Sequence, residues 1–187
     1  MSLLEQQNFL AKVFTDENLR GKFLSEPMNI GKENNLSETE IEQIQQLLPE
    51  QIKFFADSLF YKRLHEVEKF LPLTRKVLDK KFEIHFREFA NEFLPNTIKK
   101  HLEDAVEFSE YLRKTETTWI KDLIGFEQAR LIFNGYGKRF VFKKFRFDVK
   151  EILKISRQNA KPQNVRKNIS FAIWLRLGNK IYHYIWR

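Results

Sequence analysis

Asn134-Gly135-Tyr136-Gly137, followed by Lys138-Arg139-Phe140-Val141-Phe142-Lys143-Lys144-Phe145-Arg146-Phe147, is the stretch that decides the fold. Before this turn, apolar residues recur every three or four positions, the spacing of helices with one buried face. After it, aromatics alternate with Val and Lys at period two, as in a strand. Val149 to Arg157 reads as one short helix carrying Ile152, Leu153 and Ile155. Asn159 to Asn168, which includes Lys161, is a polar, basic connection. Alternation resumes through Ile169, Phe171, Ile173, Leu175 and Leu177. Gly178-Asn179 then marks a two-residue hairpin with a glycine at its first centre, and Ile181 to Trp186 returns as a strand. The spacing therefore predicts a mainly α protein: a multi-helix body over residues 1–134, then a small C-terminal β-α-β-β (α+β) module over residues 135–187.

Upstream of the turn the helices are punctuated by proline and by caps. Phe9, Leu10, Val13 and Phe14 share one helical face, and Thr15-Asp16 offers an N-cap to a helix with Leu19, Phe23 and Leu24 that stops before Pro27. Met28 to Leu36, with Gly31 and Asn34-Asn35, is expected to be a loop. Ser37 followed by Glu40 is a capping box, and Ile41, Ile44, Leu47 and Leu48 form the stripe behind it. These N-terminal helices occupy residues 1–48. The rest of the body, 49–134, starts at Pro49, which suits a first helical turn. Ile52, Phe55, Leu59, Phe60, Leu64 and Val67 keep the helical period until Pro72. Phe82, Phe86, Phe89 and Phe93 form an aromatic stripe broken by Pro95. Thr97 to Lys114, including Ile98, and Trp119 to Phe133 are each expected to be helical. Such stripes are core faces rather than cofactor boxes.

Charge divides the chain at nearly the same place. Residues 1–131 hold 19 Lys and Arg against 23 Asp and Glu, whereas residues 132–187 hold 14 against only Asp148 and Glu151. A basic tail on a mildly acidic body asks for an anionic partner, or for the acidic body itself. The chain contains no Cys, which excludes disulfides, thiolate metal sites and Cys nucleophiles. His65, His85, His101 and His183 show no metal-ligand spacing, the six Gly form no phosphate loop, and no nucleophile elbow is present. No catalytic residue, metal site or cofactor is therefore expected. No apolar run is long enough to span a bilayer, and Met1-Ser2-Leu3-Leu4 lacks the pattern of a signal peptide. The expectation is a cytoplasmic protein without a membrane partner.

The tail supports two readings. Arg139, Lys143, Lys144, Arg146, Arg166, Lys167 and Arg176, with Trp174 and Tyr184 as apolar contacts, can line a groove for an acidic peptide paired to a strand edge. The same residues can neutralise phosphates and stack on the bases of a nucleic acid. Core packing is the alternative role for Trp174 and Tyr184, because strand alternation buries one face of a sheet.

One series of residues carries a family likeness: Tyr61-Lys62-Arg63, Leu71-Pro72-Leu73-Thr74, Phe82, Phe86, Phe89, Leu94-Pro95, His101, Phe108, Tyr111-Leu112, and Asp122-Leu123 with Glu127 and Ala129. In order and spacing it resembles the helical domain of the HvfC/BufC-type peptide-modification chaperones, a family long described only as a DNA-binding domain. The likeness covers roughly residues 58–131. It implies a non-catalytic partner protein in the biosynthesis of ribosomally made, modified peptides. Such a protein would present a precursor leader peptide to a modifying enzyme such as a multinuclear non-haem iron oxidase. The strongly basic tail is a departure from the family pattern.

Overall fold

The computed structural model describes residues 3–116, 118–158 and 165–187. Lys161 and most of the polar connection after Arg157 lie outside the described residues. The chain divides into two compact units, Met1–Arg63 with Ala90–Leu94, and Leu64–Phe89 with Pro95–Arg187.

The first unit contains helices α1 (Leu3–Thr15), α2 (Glu17–Ser25), α3 (Pro27–Glu33) and α4 (Glu38–Gln45), and the first part of α5 (Pro49–Phe70). Asp16 caps α2 by accepting the Leu19 N–H at 2.9 Å. Ser37 and Glu40 form the reciprocal capping box of α4, which satisfies two backbone donors at once. Phe9, Val13, Phe23, Ile41, Ile44 and Ile52 make the core, with the Phe9 and Phe23 rings edge to face at 5.1 Å. The segment expected as a loop, Met28 to Leu36, is instead largely the short helix α3. Pro27 opens it, its missing N–H costing nothing at a first turn. Gly31 is buried directly beneath Ile41, whose side chain an added Cβ would displace.

The second unit continues with the end of α5, then α6 (Pro72–Leu78), α7 (Lys80–Glu92) as far as Phe89, α8 (Lys100–Thr115) and α9 (Thr118–Gly135). Phe82, Phe86 and Phe89 set their rings within 5.1–5.3 Å of Phe108 on α8. Phe93 lies beyond the end of α7. Ile98 is fully exposed and precedes α8. Pro95 delays the helix, so Ile98 never joins its buried face.

The C-terminal module follows as β1 (Phe140–Phe145), α10 (Val149–Arg157), β2 (Ser170–Leu177) and β3 (Lys180–Trp186). The sheet is antiparallel in the order β1-β2-β3. Gly178, with φ +56°, lets the chain turn between Leu177 and Lys180. The change of period at Gly135 is thus a change of secondary structure within the second unit. Helix α9 packs on α6, α8, β1 and α10. Leu123, Phe126, Phe133, Phe145, Ile152 and Trp174 belong to one core cluster. Among the described residues, no helix is long and apolar enough to cross a membrane.

Candidate functional site

Register decides what each face of the sheet presents. Val141, Trp174 and His183 are cross-strand partners, as are Lys143, Ala172 and Ile185. These residues face α9 and α10. Phe142, Ile173 and Tyr184, and Lys144, Phe171 and Trp186, occupy the opposite face.

The expected basic residues are not brought together in one place. Lys143 is half-buried on the inner face beside Gly125 of α9. Burial, reinforced by the Arg113 guanidinium, holds its ammonium below the usual lysine range, while Glu110 and Asp122 pull the other way. Arg176 lays its guanidinium 5.2 Å from the Phe133 ring, a cation–π contact. The backbone N–H of Arg176 is donated to the Arg139 carbonyl at 2.8 Å. Trp174 is 3% exposed; it is a core residue, with Phe126 and His183 at 5.2 and 4.8 Å. Tyr184 is 61% exposed on the outer face. Lys144, Arg146 and Lys167 converge with Arg113 and Lys121 around a cleft of about 550 Å³. Arg166 lies apart, in a depression bounded by Lys150, Lys154, Asn168 and Arg187.

A shallower groove with a more apolar lining runs between α10 and the inner face of β3. Phe126, Leu153, His183 and Ile185 give it an apolar lining, and Lys150, Lys154 and Arg157 of α10 line it with cations. Its volume is about 420 Å³. The helix comes to lie this way because its sequence is sharply two-sided: Val149, Ile152, Leu153 and Ser156 are buried, whereas Lys150, Lys154 and Arg157 are exposed. Asp148 starts α10, its carboxylate accepting the N–H groups of Lys150 and Glu151 at 3.0 and 3.4 Å. The same carboxylate pairs with the Arg187 guanidinium just beyond β3. Helix and edge strand are thereby tied at one end of the groove. Among the described residues β3 pairs with β2 alone, so its other edge carries no strand partner. Lys150, Lys154 and Arg157 lie outside the strands, and their 4- and 3-residue spacing along α10 marks one exposed helical face.

A half-buried carboxylate, Asp122, and a buried one, Glu127, have structural partners. Asp122 Oδ2 accepts the backbone N–H groups of Arg146 and Phe147 at 2.7 and 2.9 Å. Burial raises its pKa, with those hydrogen bonds opposing. Glu127 does the same for the first turn of α6, accepting from Leu73 and Thr74. Among the described residues, no group of three His, Asp or Glu is placed to hold a metal ion. No protein-family model matches the chain, and no curated protein matches it either.

Proposed function

We propose that this protein binds an extended, acidic peptide along β3, without carrying out chemistry on it. The observation that carries the reading is an open strand edge beside an apolar groove lined with cations. A peptide added to β3 would gain main-chain hydrogen bonds, and its alternate side chains would enter the groove over Leu153, His183 and Ile185. Lys150, Lys154 and Arg157 would meet carboxylates on the peptide. Strand β1, the sheet's other edge, packs with α9, and its Phe145 is buried. The site is therefore assigned to α10 and β3, rather than to the strand residues singled out by charge alone. Together with the family likeness of residues 58–131, this supports a partner protein that presents a precursor leader to a modifying enzyme, with a multinuclear non-haem iron oxidase as the implied class.

The test uses a fluorescein-labelled synthetic peptide alternating Glu with Val, and its Lys-for-Glu counterpart. The acidic peptide should bind and the basic one should not. Lys154→Glu with Arg157→Glu should weaken binding about tenfold, since exposed ion pairs contribute about 0.2–1 kcal/mol each. Equal binding of both peptides would overturn the reading.

A further inference from the structure

The outer face of the sheet breaks the usual pattern of a half-buried antiparallel sheet, whose solvent side is polar. Phe140, Phe142, Phe171, Ile173, Tyr184 and Trp186 all stand on it. Phe142 is 49% and Trp186 40% exposed. The rings of Phe142, Phe171 and Trp186 form a row across all three strands, with centroids 5.8 and 5.9 Å apart and successive planes within 25° of parallel. The strand residues on this face include Lys144 and Lys180 and no carboxylate.

The row ends at the cationic cleft. Lys144 is the register partner of Phe171 and also lines that cleft with Lys121, Arg146 and Lys167. Among the described residues, none of these four forms an ion pair. The two acids of the cleft each have a partner, Asp122 within the cleft and Glu116 on α7. Asp122 accepts two backbone N–H groups, and Glu116 lies 3.7 Å from His85 Nε2.

We propose that this face, with the cleft at its β1 end, is a platform for single-stranded nucleic acid. Bases stack on Phe142, Phe171 and Trp186, while phosphates meet Lys144, Arg146, Lys167 and Lys121. Only a ligand that carries both a π face and a negative charge at every repeat uses the row and the cleft together. A second copy of the chain fits less well, because it would bring lysines into an apolar interface with no carboxylate to meet them. The site is separate from the β3–α10 groove, so either assignment can fail without the other.

Fluorescence anisotropy of labelled oligo-dT and oligo-U against the full chain tests it, with a duplex of equal length as the comparison. The single strands should bind more tightly than the duplex. Phe142→Ala and Trp186→Ala should each weaken binding about tenfold, as expected for the loss of one base–ring stack. Lys144→Glu with Lys167→Glu should weaken it further and reduce the salt dependence. Lys154→Glu with Arg157→Glu, in the peptide groove, should leave the ring dependence intact. Duplex binding equal to single-strand binding, or indifference to both ring substitutions, would overturn the proposal. So would failure of both oligonucleotides to bind while the chain self-associates or captures the acidic peptide through Phe142 and Trp186.

Discussion

Trp174 and His183 stack face to face across β2 and β3, their ring centroids 4.8 Å apart and their planes 14° from parallel. The indole belongs to the core, whereas the imidazole forms part of the groove lining. The candidate site is therefore built directly on the packed interior.

Trp174→Ala should destabilise the protein by about 3–5 kcal/mol, the usual cost of emptying a large aromatic site. Tyr184→Ala, on the outer face, should stay within about 0.5 kcal/mol. Urea denaturation of the two variants makes the comparison. Equal losses would mean that the faces of the sheet are assigned wrongly.

His183 should make stability depend on pH on the acid side of neutrality. Burial holds its imidazole below the usual value. The unfolded chain then takes up a proton that the folded chain resists. This contribution is complete above the unfolded value of about 6.5 and is lost as pH falls through it. His183→Phe keeps a ring against Trp174 and should flatten that loss in Tm measured from about pH 8 to pH 5. Parallel curves for the two proteins would remove His183 from the account.

Glu127 is 1% exposed and accepts the N–H groups of Leu73 and Thr74 at 3.1 and 2.8 Å, with Arg130 3.7 Å away. Glu127→Ala leaves buried donors unmet and should cost about 3 kcal/mol. Burial raises the carboxyl pKa above its usual value. The folded state therefore binds the proton more tightly, and this group's contribution to stability falls as pH rises above about 4.5. Glu127→Gln should remove that slope, as read from denaturation midpoints across the acid range.

The two glycines of the N-terminal unit should respond in opposite directions. Nothing lies within 4 Å of a Cβ built on Gly21 in α2, so Gly21→Ala should stabilise by about 0.5–1 kcal/mol. A Cβ on Gly31 would press into Cγ1 and Cδ1 of Ile41, so Gly31→Ala should destabilise by about 1–3 kcal/mol. Thermal melts of the two variants give the sign of each.

Much of the fold was legible because its signals are local. The capping box at Ser37, prolines at first turns, the switch of period at Gly135 and the Gly178 hairpin each act over a few residues. Helix α3 was hidden because Gly31 and Asn34-Asn35 read as a loop, while its reason to be helical is packing under Ile41. Trp174 and Tyr184 could not be assigned to faces, since both faces of the sheet are apolar and alternation alone names neither as the inner one. Glu127 and Asp122 reach backbone donors 53 and 24 residues away, a distance no local pattern signals. The groove cations Lys150, Lys154 and Arg157 lie on a helix, not on the strands whose charge drew attention.

Amide hydrogen exchange of β3, with and without the Glu–Val peptide, tests the peptide reading most directly. Strand addition hydrogen-bonds edge amides that are otherwise open to water. Exchange should slow across Lys180–Trp186 when the peptide binds, and the protection should persist between about 50 and 200 mM salt, because backbone hydrogen bonds are screened less than exposed charges. Unchanged exchange in β3 under saturating peptide, or protection confined to Phe140–Phe145, would contradict it.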